Sequence, residues 1–432
     1  MNIISKLKLN SQEKKTFSLH LSYATIEGII AGVLALNEFV FIKSLKGSDY
    51  QLSFLFSFSM VVFLMLIFIN EFLKRIKSQR KLLRIVAVLT RLPLLLLLFF
   101  PDNVDAIIKT PIYHYIFLAI FLVYFLAHPI VRPLVNLFLK NSYRHENFGK
   151  LYSYSTTVNK IVILIITFLF GLILDYDNYA FTYIYPVIGI LGIISIFLLS
   201  KIDYIDNQID VSEKGFLISI KNSIKKMLDI LKNDKPYFYF EMAFVLYGFA
   251  FMISYAVINI FFEDVLHLNY SSVAFYKNSS NMVAIFLLPY FGKLIGKIDP
   301  RKFGIITFIA LLFYLLFMAI TEYTPETINV FGISIFITLI ISFVFLGIFT
   351  AGMHLLWSIG SAYFCKDEDA GIYQSVHLSL TGTRALFIPV LGIVMYELIG
   401  FSGTFLLGVI ALMAGILILR WTMKKHKIKV KK

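Results

Sequence analysis

Apolar positions in this chain come in long unbroken runs, neither alternating as in a half-buried strand nor striped as in a surface helix. A helix needs about 20 such residues to cross a bilayer. Twelve stretches meet that measure, at 19–42, 52–70, 83–101, 112–139, 153–174, 180–200, 237–262, 272–291, 303–321, 329–358, 371–398 and 403–421. Continuous apolarity excludes a membrane barrel, whose strands alternate. The longest polar interruption divides the chain nearly in half. Within it Phe216, Ile220, Ile224, Met227 and Leu231 recur at helical spacing among lysines from Lys214 to Lys232, the pattern of an amphipathic helix on a membrane surface. The expected organisation is a six-helix bundle over 1–200, a cytoplasmic linker with that amphipathic helix over 201–235, and a second six-helix bundle over 236–432.

Composition sharpens the class. Apolar residues make up 59% and charged residues 15%, with mean hydropathy +0.80. Those values exclude a disordered chain, a soluble enzyme and a nucleic-acid binder, despite a formal charge of +14. The single cysteine, Cys365, leaves no intramolecular disulfide and no multi-cysteine metal site. The polar start with Lys6, Lys8, Lys14 and Lys15 leads into a span-length segment, so no cleavable signal is expected. Most of the 40 basic residues fall in the N-terminal segment, the even-numbered loops and the C-terminal tail. Only Lys43, Lys46 and Lys109 occupy the opposite loops, which carry Asp102, Asp105, Asp175, Asp177, Glu263, Asp264, Glu322 and Glu326. By the positive-inside rule both termini are expected in the cytoplasm, and the expected setting is a cell membrane, the bacterial inner membrane.

The halves echo one another at an offset near 222. Asn37 answers to Asn259, Arg80-Lys81 to Arg301-Lys302, His128 to His354 and Lys160 to Arg384. Six spans per half is even, so the two repeats are expected to lie parallel. After the eighth span stands Gly292-Lys-Leu-Ile-Gly296-Lys297-Ile-Asp299-Pro-Arg301-Lys302. This resembles the loop signature of the major facilitator superfamily, with Gly296 where Asp is usual and Asp299 where Gly is usual. The first-half copy keeps only its basic end at Arg80-Lys81. The resemblance extends over nearly the whole chain. It implies an all-α integral membrane protein of twelve transmembrane helices in two pseudo-symmetric six-helix bundles, with spans one, four, seven and ten around a central cavity. Gly292, Gly296, Asp299, Arg301 and Lys302 are then expected in a gating loop. The glycine-proline motif of drug/proton antiporters is absent from span five, and a partial version, Gly382 to Pro389 and Gly392, stands in span eleven.

Charges within the spans mark the candidate site. Arg91, Arg132, Lys160 and Arg384 each cost about 2.5–3.5 kcal/mol at mid-membrane unless water or a counter-charge meets them. Glu27, Glu38 and Glu241 are the acids at comparable depth. Glu27 and Glu38 are eleven residues apart, about three turns, and share a face with Ala31 and Leu34. Gln374, His377, Thr381 and Arg384 form one polar stripe; Tyr124, His128 and Arg132 form another, and His354 is followed by Trp357 and Ser358. Gly28 and Gly32 have the small-residue spacing of close helix packing. No phosphate loop, zinc-protease or nucleophile-elbow motif occurs, so neither catalysis nor a cofactor is expected.

The expected function is secondary active transport of a small organic solute by alternating access, proton-coupled through Glu27 or Glu241. Cations outnumber acids at mid-depth, which favours an anionic or zwitterionic solute. Arg384 is expected to contact the solute and Lys160 to balance an acid. The substrate-binding or coupling set is Glu27, Asn37, Arg91, His128, Arg132, Lys160, Glu241, Asn259, His354, Trp357, His377 and Arg384. The partners are the solute, protons and membrane lipid, not nucleic acid, and a monomer is expected. The rival readings are proton-driven multidrug efflux, and a receptor or enzyme built on the same fold.

Overall fold

A computed structural model describes residues 9–73, 75–76, 78–202, 215–324, 326–366 and 369–426. Lys6, Lys8 and Lys214 of the expected basic segments lie outside them. The described chain is almost wholly helical. Its first half runs through α1 (Ser11–Leu34), α2 (Asn37–Lys43), α3 (Asp49–Val61), α4 (Leu66–Leu73), α5 (Gln79–Arg91), α6 (Val104–Lys109), α7 (Ile112–Phe125), α8 (His128–Ser142), α9 (His145–Tyr176) and α10 (Phe181–Leu199). There follow α11 (Phe216–Asn233), α12 (Lys235–Asp264), α13 (Tyr270–Ile295), α14 (Pro300–Thr321), a hairpin of β1 (Ile328–Val330) and β2 (Ile333–Ile335), then α15 (Ile337–Ile359), α16 (Ala370–Ala385) and α17 (Ile388–Lys425).

Nine helical segments among the described residues are long and apolar enough to cross a membrane. The other three expected spans are helical too. Span two is carried by the shorter Asp49–Met65 stretch, span eight is the polar α13, and span eleven is split between α16 and the start of α17. Proline explains most interruptions, because it removes a backbone donor and clashes with the preceding turn. Pro93 follows the end of α5, where the chain tightens into a 3-10 helix over Leu92–Phe99. Pro129 opens α8 and Pro389 opens α17. The expected shared face of Glu27 and Glu38 is interrupted at Ala35–Leu36, between α1 and α2. Span ten also begins later than expected. Residues 328–335 pair as an antiparallel hairpin, turned by Phe331 and Gly332 at positive φ, with Gly332 N–H donating to Asn329 Oδ1 at 3.0 Å. Gly400, at φ 74°, bends the chain between spans eleven and twelve.

Two compact units divide the chain. The first comprises Met1–Val40, Ser44–Lys46 and Phe68–Phe216, and the second Phe41–Lys43, Gly47–Ile67 and Leu217–Lys432. In the first unit α1 lies directly on α9. A Cβ at Gly28 would stand 2.9 Å from the Asn159 carbonyl oxygen, and one at Gly32 would stand 2.8 Å from Ile166 Cβ. The close approach lets side chains bond the facing backbone: Asn159 Nδ2 donates to Ala24 O at 2.7 Å and Thr167 Oγ1 to Gly32 O at 3.0 Å. The small-residue pair is thus helix packing. In the second unit α12 packs on α17, and α15 on α13 and α14. The amphipathic segment forms α11, burying Ile220 and Met227.

The repeat is visible at the helix ends. In the first unit Arg80 Nη2 donates to Ile202 O at 3.0 Å, just past α10. In the second, Arg301 Nη1 donates to Thr422 O at 3.0 Å, in the last turn of α17. Each arginine therefore bonds a backbone carbonyl near the end of its half's last helix, where the helix dipole favours a cation. Arg301 is 1% exposed and also bonds Asp299, with Nη2 to Oδ2 at 2.7 Å. Gly292 and Gly296 border open space.

Candidate functional site

The first unit contains a polar cavity of about 410 Å³. Helix α1 contributes His20, Tyr23, Glu27 and Ala31, α8 contributes Arg132 and Asn136, and α9 contributes Tyr152, Thr156 and Asn159. Glu27 is half-buried and accepts a hydrogen bond of 2.6 Å from Ser195 Oγ of α10. Arg132 is exposed into the cavity. A carboxylate and a guanidinium thus line one cavity, and the presence of an opposite charge lowers the cost of holding either at membrane depth.

Arg91 stands apart from the cavity lining. It is 3% exposed, lies over the Tyr124 ring at 4.6 Å and donates to Thr90 Oγ1 at 2.7 Å. A Cβ at Gly192 would meet its side chain at 2.8 Å, so the glycine makes room for it. His128 packs edge-on against Tyr124 and Phe125. Lys160 is half-buried one residue beyond Asn159. Contrary to expectation, it forms no ion pair with an acid among the described residues.

The second unit holds a drier cluster. His377 Nδ1 faces both carboxylate oxygens of Glu241 at 3.2 and 3.1 Å, and both residues are 2% exposed. The imidazole meets Trp357 edge-on at 4.6 Å and Phe244 at 5.0 Å. Gln374 Nε2 donates to Trp357 O at 3.0 Å. One and two turns further along α16, Thr381 accepts from Arg384 Nη2 at 2.9 Å. Arg384 Nη1 donates to Phe244 O, and the guanidinium lies over Tyr247 at 5.9 Å. A Cβ at Gly248 would fall 2.2 Å from Arg384 Cζ, so Arg384 occupies space that this glycine leaves. Of the expected stripe of α16, His377 meets Glu241, while Gln374 and Arg384 bond the backbone carbonyls of Trp357 and Phe244; His354 is exposed on α15.

Asn37 and Asn259 are each 3% exposed. Each leaves its side-chain Oδ1 without a hydrogen-bond partner. Among the described residues no group of three or more His, Cys, Asp or Glu could hold a metal ion.

Several cavity residues were not among those expected. Asn136 extends the Tyr124, His128, Arg132 stripe by one turn, and His20 and Tyr23 extend Glu27 backwards by two. That period was readable; what was missing was which helices face each other. Glu13 also escaped notice. It is buried and joins the start of α1 to the start of α9 through Arg144 and Asn147.

The sequence profile of the Major Facilitator Superfamily matches residues 16–337. The chain belongs to this superfamily of membrane transporters. No curated protein sequence matches it. Solved structures share the fold at low identity. A variant of the nucleoside transporter NupG aligns with TM-score 0.70 and 13% identity, covering 96% of this chain and 100% of that one. A variant of the peptide transporter POT bound to alafosfalin gives 0.68 and 12%, covering 96% of each chain. The xylose transporter XylE from E. coli, in an inward-open conformation, gives 0.64 and 12%, covering 93% and 94%.

Proposed function

We propose that the protein is a secondary active transporter of a small, polar organic solute carrying an anionic or zwitterionic group, coupled to protons and working by alternating access. The cavity of the first unit supports this most directly. It places the Arg132 guanidinium, the Glu27 carboxylate and the amides of Asn136 and Asn159 around one space of about 410 Å³, a volume suited to a metabolite-sized ligand. A guanidinium pairs with a carboxylate or phosphate through a planar fork, and Glu27 offers an acceptor to an ammonium group or a place for a proton. Multidrug efflux fits less well, because a greasy drug would leave the Glu27, Arg132 and Asn136 side chains of the lining without a polar partner. Both termini belong in the cytoplasm on this reading, as the lysine distribution requires.

The test is uptake into proteoliposomes against a panel of carboxylates, amino acids, phosphate esters and neutral sugars, with and without an imposed pH gradient. A negatively charged or zwitterionic solute accumulates in response to the gradient, and Arg132→Ala abolishes its uptake. Uptake confined to neutral sugars or hydrophobic cations overturns the reading.

A further inference from the structure

The hairpin between spans nine and ten has an apolar face that the protein leaves partly open. In an antiparallel pair, directly opposed residues share a face with one another and with the residues two places along each strand. The register Ile328↔Ile335, Asn329↔Ser334 and Val330↔Ile333 therefore puts four branched aliphatic side chains on one side. Ile328 is 58% exposed and Val330 40%. The outer edge of β2 is tied to the start of α13. Ser334 N–H donates to Ser272 Oγ at 2.9 Å, and Asn269 Nδ2 donates to Gly332 O at 2.9 Å. The Tyr276 hydroxyl donates to Ser334 O at 2.9 Å and accepts from Phe336 N–H at 2.8 Å.

The turn carries a second, independent signal. Its central residues, Phe331 and Gly332, stand at φ 51° and 80°. A tight hairpin turn with both central residues at positive φ favours Asn, Asp or Gly in the first place, and a bulky side chain there is strained. Phe331 is nevertheless 100% exposed, so no packing within the protein offsets that strain. A strained residue kept without an internal return points to a contact outside the chain.

Charge identifies the partner. No Lys, Arg, Asp or Glu stands between Glu326 and Lys366, so the hairpin runs into α15 without a charged residue. That helix is long and apolar enough to span the membrane, and its first residue, Ile337, is 64% exposed. Exposed apolar side chains on a spanning helix face lipid, and the open side of the hairpin extends the same uncharged surface past the helix end. We propose that the 328–335 hairpin is a membrane-interface anchor. Phe331, Ile328 and Val330 sit among the acyl chains just below the lipid headgroups, and the β2 edge holds the start of α13 at a fixed depth. The contact takes neutral and anionic lipid alike, because the hairpin carries no charge to tell them apart. It is independent of the solute and of its coupling.

The test uses the full chain in liposomes with Phe331→Trp as its sole tryptophan, the two native ones, Trp357 and Trp421, being changed to Phe. Quenching is measured with lipids brominated near the headgroup, with lipids brominated near the chain end, and with aqueous iodide. The shallow bromolipid is expected to quench about threefold more strongly than the deep one, and iodide about fivefold less than it quenches free tryptophanamide. Both hold in neutral and in anionic vesicles. Iodide quenching at the level of the free indole, with none by bromolipid, overturns the anchor. Dominant quenching by the deep bromolipid overturns the interfacial depth, and quenching by lipid confined to anionic vesicles overturns the uncharged contact. Protection from iodide and from both bromolipids shows that a protein surface, such as a second copy of the chain, covers the hairpin in place of lipid. Where the tryptophan variant fails to reconstitute, Val330→Cys in a Cys365→Ser background carries an environment-sensitive dye. Blue-shifted emission in liposomes then supports the anchor, and emission as in water overturns it.

Discussion

Replacing Glu13 with alanine tests how the first unit holds its cavity walls in register. Its carboxylate, 1% exposed, accepts from Asn10 N–H at 3.1 Å and from Arg144 through its N–H at 3.1 Å, Nε at 3.1 Å and Nη2 at 2.9 Å. Asn147 Nδ2 adds a bond of 3.0 Å. Losing the Glu13 half of the capping box, the bond from Asn10 N–H, costs about 1 kcal/mol, while the Asn10 side chain still caps the residue-13 N–H. Asn147 is buried, and leaving it and the Arg144 backbone N–H unpaired costs about 1–3 kcal/mol more. The Arg144 head is 47% exposed and returns to water, so its share stays below about 1 kcal/mol. The expected loss for Glu13→Ala is therefore about 3 kcal/mol, and about half that for Glu13→Gln, which keeps an acceptor. Arg144→Ala costs less than Glu13→Ala, because the remaining donors still meet the carboxylate. The measurement is thermal unfolding in detergent by fluorescence-detected size exclusion, run as a double-mutant cycle over both residues. Glu13→Ala melting with the native protein would refute the reasoning, as would Arg144→Ala being the more damaging change.

The remaining predictions concern the second unit and the topology. Gly248→Ala places a carbon where Arg384 Cζ now lies; the guanidinium moves and the fold survives, so purified yield stays near normal while uptake is lost, and full uptake would show that the position of Arg384 is immaterial. Arg384→Lys keeps the charge but loses the fork that reaches both Phe244 O and Thr381 Oγ1, so thermal unfolding in detergent shows a loss of about 1–3 kcal/mol. Unchanged melting of Arg384→Lys would show that the fork is not needed to hold these helices. In a Cys365→Ser background, cysteines at Ser78 and Asn222 are protected from an impermeant thiol reagent in intact cells and those at Asp105 and Thr324 react; the opposite pattern would invert the topology.

The spans were legible because lipid imposes one requirement, length of apolar run, on each helix separately. Their interruptions were legible in part, since Pro93, Pro129 and Pro389 are local causes with local effects. The hairpin at 328–335 was hidden because Ile328, Val330, Ile333 and Ile335 are as apolar as a helix start, and only Asn329 with Phe331-Gly332 marks the turn. Asn10 and Glu13 stand at capping-box spacing, so half of the Glu13 arrangement was written in four residues. Its other half, Arg144 and Asn147, lies more than a hundred residues away. The same limit applies to Glu241 and His377, 136 residues apart: periodicity assigns each to a face of its own helix and is silent on which faces meet.

The repeat separates what the fold requires from what each half is built to do. Arg80 and Arg301 occupy matched places, each bonding a backbone carbonyl near the end of its half's last helix. Lys160 and Arg384 are equally well matched in sequence and differ in surroundings. Lys160 is half-buried, one residue beyond Asn159 of the cavity lining. Arg384 is 4% exposed, bonded to a carbonyl and a hydroxyl and lying over the Tyr247 ring. A repeat position can thus keep its cation in both halves while its surroundings diverge, so correspondence in sequence does not by itself carry a shared role from one half to the other.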